Sequence, residues 1–169
     1  MSVHLEHLYY VLGWPEDPET EEGQRRYRYY LHAFSRLLDH EWLRALLGLR
    51  KVEAVELCAG TGLGSAALAA ALREKGLECC VLLVDLRESA LQRGVCWLQQ
   101  QGIAARALVA DVRRLHTLGR RFDIALMVGY SAVHFDPWEM VRLLASVSAV
   151  LKPSGVLVVE EVDRLSLIH

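Results

Sequence analysis

The 169-residue sequence predicts an α/β fold, a doubly wound parallel sheet placed behind a helical N-terminal arm. Three observations carry this. Beyond residue 50, short β-rich apolar runs alternate with longer helix-patterned stretches, as βαβ units require. Each run is apolar throughout, as strands covered on both faces are. Residues 1–50 differ in kind, holding five of the six tyrosines and a helical apolar stripe instead of strand patterns. The expected division is therefore an arm or lid over 1–50 and a core over 51–169.

The composition agrees with one compact domain. Hydrophobic residues make up 53% of the chain and charged residues 24%, enough to bury a core and incompatible with a disordered chain. With 19 Lys+Arg against 21 Asp+Glu, the formal charge of -2 leaves no cation surplus for a nucleic-acid backbone or an anionic bilayer. Nucleic acid is disfavoured as a partner. No run approaches the roughly 18 consecutive apolar residues of a membrane span, and no basic-then-apolar leader opens the chain, so a cytoplasmic location is expected. The four cysteines, Cys58, Cys79, Cys80 and Cys96, form no Cys-x-x-Cys pair and read as reduced thiols.

In order along the chain, the arm is expected to hold two helical stretches separated by Trp14-Pro15-Glu16-Asp17-Pro18. The second stretch, Glu21 to Leu47, spaces Tyr27, Leu31, Phe34, Leu38, Trp42 and Leu46 as one helical stripe that packs on the body. The expected strands are Ala54–Cys58, Val81–Asp85, Ala105–Ala110, Ile124–Val128 and Val156–Glu160. Between them, an alanine- and leucine-rich helix runs from Gly64 to Lys75 and stops at Gly76, and another runs from Arg87 to Gln101 and stops at Gly102. A short polar segment spans Arg113 to Arg121. The last helix starts at Pro137 and ends at Leu151, before Lys152-Pro153-Ser154-Gly155 reads as a turn.

Val55-Glu56-Leu57-Cys58-Ala59-Gly60-Thr61-Gly62-Leu63-Gly64-Ser65 is a strand running into a glycine-rich turn that opens a helix. Glycines there permit positive φ and let a ligand approach the backbone. Glu56 precedes the turn, and Asp85 and Asp111 close the next two strands. In a parallel sheet these three acids share one edge, which makes that edge a ligand crevice. Asp85 stands about 20 residues beyond the turn, the spacing of an acid that holds ribose hydroxyls. Asp85 and Asp111 can alternatively serve as caps for the helices that follow them.

These residues resemble the class I S-adenosylmethionine-dependent methyltransferase family, in its small-molecule enzymes, over roughly residues 50 to 162. Glu56 to Gly64 resembles its first motif, Val84-Asp85-Leu86 its second and Ala110-Asp111-Val112 its third. Phe122-Asp123-Ile124-Ala125-Leu126-Met127-Val128-Gly129 resembles its fourth-strand motif, and Leu151-Lys152-Pro153-Ser154-Gly155-Val156-Leu157-Val158-Val159 its approach to the fifth strand.

The resemblance implies a Rossmann-like sheet of order 3-2-1-4-5, without the family's usual sixth and seventh strands. It implies S-adenosylmethionine as cofactor, held by Glu56, Ala59, Gly60, Thr61, Gly62, Asp85, Leu86, Asp111, Val112, Val128 and Gly129. Gly60 and Gly62 would admit the methionine part, Glu56 would order its amino group, and Asp85 would hold the ribose. Leu86 and Val112 would enclose the adenine, Asp111 would accept from its amine, and Val128 with Gly129 would lie beneath the sulfonium. A methyl group would then pass in line to an O, N or C nucleophile of a small molecule.

Should the acceptor need a general base, His134 is the catalytic candidate, against the reading that it shapes a pocket. Tyr27 and Tyr30, on one helical face of the arm, can touch cofactor or substrate as a lid closes. His4 and His7 flank Glu6 but nothing completes a metal site, so no metal is expected. The hydrophobic outer edge of the fifth strand is expected to be covered by a second copy, another chain or the protein's own terminal residues.

Two rivals stand beside this reading. A nicotinamide-dependent oxidoreductase shares Gly60-x-Gly62 and a later acid, but Ser65 fills its third glycine position. A donor-binding subunit or sensor without turnover keeps every cofactor motif and lacks only the acceptor pocket.

Overall fold

The fold is described by a computed structural model, over residues 2–44, 48 and 50–161. The arm contributes α1 (Ser2–Leu12), α2 (Glu21–Leu37) and the short α3 (Glu41–Arg44). The body follows as β1 (Lys51–Leu57), α4 (Leu63–Glu74), β2 (Glu78–Asp85), α5 (Glu88–Gln100), β3 (Ala104–Val109), β4 (Phe122–Met127), α6 (Pro137–Val150) and β5 (Leu151–Val159). Two 3-10 helices, Val112–Leu118 and Ser131–His134, flank β4. The strands make one sheet in the order β3-β2-β1-β4-β5, every neighbouring pair parallel.

Strand alternation sorts the core into two layers. Val52 and Ala54 of β1 face α4, α5 and α2 with Leu83, Ile124 and Leu126. Val55 and Leu57 face α6 and the first 3-10 helix with Val84, Ala125 and Met127. Burial on both faces is why these strands read as unbroken apolar runs. The arm belongs to the first layer, because Tyr30, Phe34 and Leu38 are almost wholly buried against α4.

Four boundaries depart from the sequence reading by three residues or more. β1 and β2 begin three residues early, since Lys51↔Glu78, Val52↔Cys79 and Glu53↔Cys80 continue the ladder with polar side chains at the sheet's amino edge. The expected second arm helix stops at Leu37, where Leu38, Asp39 and His40 donate to Phe34, Arg36 and Leu37 and wind the chain into a turn. The side chain of Trp42 and all of Leu46 lie outside the described residues. The expected Lys152–Gly155 turn is an irregularity inside β5: Phe122 pairs with Leu151 and Ile124 with Val156, so the intervening residues loop out of register. Asp123 fixes that bulge by accepting from Lys152 Nζ at 2.9 Å and from the Glu53 N–H at 2.8 Å.

α5 presses directly on the glycine turn after β1. A Cβ at Gly94 would lie 2.6 Å from the carbonyl oxygen of Thr61, a backbone atom that cannot swing aside. Gly94→Ala is therefore expected to destabilise the protein by about 1–3 kcal/mol, as overpacking of a filled site does. Urea unfolding checks this; an unchanged midpoint would show that α5 does not hold the turn.

Candidate functional site

The carboxyl edge of the sheet collects the chemistry. β1 ends in Glu56 and Leu57 and turns through Cys58 and Gly60, both with positive φ of 52° and 53°. Gly62, at φ 74°, then opens α4. Glu56 is 3% exposed and accepts from the Ser65 N–H at 2.7 Å, which ties the strand end to the first turn of α4. Burial pushes its carboxyl up to about 7, with Ser65 pulling the other way. Cys58 lies beside it, and burial raises its thiol to about 12, so it is no nucleophile at neutral pH.

Asp85, at the end of β2, accepts from the Gly60 N–H at 2.8 Å with one oxygen and from the Arg87 N–H at 2.9 Å with the other. Arg87 Nε also lies 3.5 Å from that second oxygen, and of the about four lone-pair sites of a carboxylate the two backbone donors take one on each oxygen. Asp111, at the end of β3, is engaged differently. It caps the following 3-10 helix through the Arg113 N–H at 2.9 Å and accepts from Arg113 Nε and Nη2 as well, so both oxygens already carry two donors. The guanidinium holds the Asp111 carboxyl below its usual range. The capping alternative is thus realised at Asp111, and a role toward an adenine amine would require Arg113 to let go.

The residues named from the sequence fall into two adjoining cavities. One, of about 40 Å³, is lined by Glu56, Ala59, Gly60, Thr61, Val128 and Gly129. The other, of about 300 Å³, is lined by Asp85, Leu86, Asp111, Val112 and His134. Cys58, Tyr9 and Arg87 border both. Gly62 lines neither: a Cβ there would lie 2.9 Å from the Leu83 methyls, so this glycine serves packing of α4 on the sheet and the approach of a ligand falls to Gly60.

His134 borders the larger cavity, away from Val128 and Gly129, with its Nε2 hydrogen-bonded to the Tyr9 hydroxyl at 3.0 Å. The smaller cavity, which Val128 and Gly129 border, is not lined by His134. Tyr27 and Tyr30 separate as well. Tyr27 packs edge-on against Trp97 of α5 at 5.8 Å, and Tyr30 lines the smaller cavity. Glu6 caps α5 by accepting from the Ser89 N–H and hydroxyl at 3.3 and 2.6 Å.

The arm supplies what the spacing did not reveal. The loop after α1 lays Glu16 across the glycine turn, where Arg87 grips it with both terminal nitrogens at 2.6 and 2.8 Å. The Arg87 guanidinium is stacked 3.8 Å from the Tyr9 ring centre. The Thr61 hydroxyl donates to the Glu16 carbonyl oxygen, locking the same loop to the turn. At the β4 end, Glu160 accepts from the Gly129 N–H at 2.6 Å and from the Tyr30 hydroxyl at 2.9 Å. Only the Trp-Pro-Glu-Asp-Pro break hinted at such a strap.

A cavity of about 40 Å³ is far below the roughly 300–1,000 Å³ of small-molecule sites, and what fills the difference is the strap. A Cβ at Gly60 would lie 2.5 Å from Glu16 Oε2 and 2.8 Å from Arg87 Nη2, the tips of two flexible side chains. The turn is therefore a bare backbone cradle covered by groups able to withdraw, and its donors and acids fit a nucleoside carrying an amino-acid arm.

Comparison with known proteins agrees with that fit. The family described as "Methyltransferase domain" matches residues 54–155. No curated protein sequence matches the chain. Among solved structures, the PH0226 protein from Pyrococcus horikoshii OT3 superposes with a TM-score of 0.69 at 25% identity, covering 96% of this chain and 64% of its own. An S-adenosylmethionine-dependent methyltransferase from Clostridium acetobutylicum ATCC 824 gives 0.57 at 20% identity, covering 79% and 56%. The glycopeptide N-methyltransferase MtfA, solved with S-adenosyl-L-methionine, gives 0.51 at 21%, covering 64% and 46%. The chain thus spans about three fifths of the length of the first two.

The raised Glu56 carboxyl makes a sign-definite prediction. A group that binds its proton more tightly when folded contributes stability that is full below the unfolded value near 4.5 and is lost as pH rises through about 7. Glu56→Gln should therefore be more stable than the parent at pH 8 by about 3 kcal/mol and close to it near pH 4.5. Urea unfolding at the two pH values checks it; a stability difference independent of pH would contradict a protonated, buried Glu56.

Proposed function

The chain belongs to this methyltransferase domain family, and we propose that it transfers a methyl group from S-adenosylmethionine to a small-molecule acceptor. The observation that carries the reading is Asp85, buried at the end of β2, tied to the Gly60 N–H, beside the Arg87 Nε at 3.5 Å, and lining the larger cavity. When bound, the cofactor supplies an electrophilic methyl group on a positively charged sulfonium, with no metal or covalent intermediate needed.

The chain's part is to bind, orient and dry. Asp85 takes the ribose hydroxyls, and Leu86 and Val112 form apolar walls beside it in the larger cavity. Glu56 faces the ligand's amino group, and Gly60 and Thr61 offer the backbone against which the amino-acid arm lies. Val128 and Gly129 at the β4 end set the floor of the transfer site. Holding two reactants in attack geometry can lower a barrier by about 7–11 kcal/mol without a dedicated base.

The acceptor reading is supported by a third cavity, about 570 Å³, which shares Trp14, Arg26 and Tyr30 with the smallest one. Pro15, Tyr29 and Tyr130 give it apolar and aromatic walls, with Glu22 and Glu160 lining it beside Arg25 and Arg26. A flat, ring-bearing small molecule suits it better than a polyanion, in keeping with the net charge of -2.

Calorimetric titration with S-adenosylhomocysteine tests the donor site. Binding is expected in the parent, a loss of at least about tenfold in Asp85→Asn, whose amide is a poorer acceptor for two hydroxyls, and no heat with NADH. Absence of binding to the parent, or an Asp85→Asn variant that binds equally, would overturn the reading.

The strap generates a second expectation. Because Glu16 and Arg87 cover Gly60, the donor must displace that pair, and part of its binding energy is spent on doing so. Glu16→Ala should lower the melting temperature of the unliganded protein and tighten S-adenosylhomocysteine binding several-fold. A variant that is less stable and also binds more weakly would show that Glu16 contributes to the donor site.

A further inference from the structure

A methyl acceptor that gives up a proton is helped by a group placed to take it, and the β4 end holds such a group. His134 borders the cavity beside Asp111 and does not line the third cavity, the one suited to an acceptor. Burial, against the pull of Arg26, holds the Tyr30 hydroxyl well above its ordinary range, so that hydroxyl donates and does not take a proton. Glu160, directly after β5, lines the third cavity and accepts from the Gly129 N–H at 2.6 Å. Gly129 and Tyr30 in turn line the small cavity beside the glycine turn. Glu160 therefore stands at the junction of the two cavities.

One oxygen of this carboxylate carries all of its internal bonds. Oε2 accepts from both the Gly129 N–H and the Tyr30 hydroxyl, and that hydroxyl accepts in turn from Arg26 Nε at 2.9 Å. The chain of bonds sets the Arg26 charge against the Glu160 charge through one shared hydroxyl. Among the described residues no hydrogen bond reaches Oε1, which leaves that oxygen for the cavity that Glu160 lines. With two donors already on Oε2, a proton taken up by Glu160 belongs on Oε1. The other charged groups of the cavity, Glu22, Arg25 and Arg26, all lie on α2, and Glu22 and Arg25 are exposed.

The geometry points to Glu160 as the catalytic base of the transfer, and to an acceptor that is neutral, ring-bearing and nucleophilic through an atom carrying O–H or N–H. Two carboxylates and two guanidiniums line the cavity, so its charge favours neither an anion nor a cation, while Trp14, Tyr29 and Tyr130 favour a flat ring. Oε1 favours a nucleophile that brings a hydrogen. In the step, the nucleophilic atom bonds to the methyl carbon as the carbon–sulfur bond breaks with its electron pair left on sulfur, and the proton of the nucleophilic atom passes to Oε1. The positive charge of the sulfonium and the negative charge of the carboxylate vanish together. This assignment rests on the methyl-donor and acceptor reading above and narrows the nucleophile to oxygen or nitrogen.

The probes are 4-nitrophenol and 4-nitroanisole, one ring with and without the O–H, titrated into protein saturated with S-adenosylhomocysteine. The absorbance of the phenol reports which of its forms is bound. At a pH where the phenol is neutral, the parent should prefer it to the anisole by at least about tenfold, the scale of a hydrogen bond to a charged group. As pH rises through the ionisation of the free phenol its affinity should fall, because the carboxylate repels the phenolate. Glu160→Gln can keep both internal bonds on its amide oxygen, which turns the NH2 toward the cavity and replaces an acceptor by a hydrogen-bond donor. In that variant the preference for the neutral phenol should fall to about twofold or less, and the phenolate should become the form bound. A merely structural Glu160 would leave both readouts unchanged. Affinity for S-adenosylhomocysteine close to the parent's shows that the variant is folded, and the pH dependence of the parent tests the assignment without it. A parent that binds phenolate as well as phenol, binds both probes equally or binds neither, or a variant that keeps the preference, would overturn the assignment and leave the methyl-donor reading standing. A parent that does not bind S-adenosylhomocysteine would overturn the methyl-donor reading, and this assignment with it.

Discussion

The hydrogen bond from the Gly60 N–H to the Asp85 carboxylate, 2.8 Å long and buried, is the interaction on which the rest of this edge depends. It joins the turn after β1 to the end of β2, so the backbone cradle and the acid beside it move as one unit. Its formation follows from the parallel sheet: Leu57 pairs with Val84, which brings both strand ends to the same height on the same side. Gly60 takes the positive φ that this turn adopts, and a Cβ there would meet Glu16 and Arg87. The packing of Gly94 on Thr61 and of Gly62 on Leu83 then clamps the turn from the α4 and α5 side.

Around that unit the protein sets two competing arrangements. In one, the Glu16 carboxylate and the Arg87 guanidinium pair over Gly60, stacked on Tyr9 and tied down through Thr61. In the other, which the proposed donor binding requires, a donor would lie where the strap was, against the same backbone. Most of the charged groups on this edge have mutual partners in the first arrangement, which keeps the cleft electrostatically satisfied. Arg26 and Glu56 face one small cavity, and Glu160 is held by the Gly129 N–H and the Tyr30 hydroxyl.

Much of the fold was legible because its signals are local. Strands covered on both faces must be apolar throughout, and the turns closing α4 and α5 need glycine, so Gly76 and Gly102 marked those ends, both with positive φ. The strand starts were less legible, since Glu78, Cys79 and Cys80 pair in the sheet without carrying an apolar pattern. Lys152-Pro153-Ser154-Gly155 has turn chemistry whether it ends a strand or loops out of one, and only the pairing with β4 distinguishes them.

The site was legible to the same extent. The placement of Glu56, Gly60, Asp85 and Val128 at one edge of the sheet could be read because parallel strands fix their height. The strap was not, because Glu16 meets Arg87 across 71 residues and Tyr9 meets His134 across 125, with no periodicity connecting either pair. Tyr27 and Tyr30 share a helix face in sequence, yet Trp97 takes one and the cleft the other. The central claim is that strap and donor contend for one cradle, and a crystal structure with S-adenosylhomocysteine bound tests it most directly. The account predicts ribose hydroxyls on Asp85 and Glu16 withdrawn from Gly60; a ligand bound elsewhere, with the Glu16–Arg87 pair still closed over the turn, would contradict it.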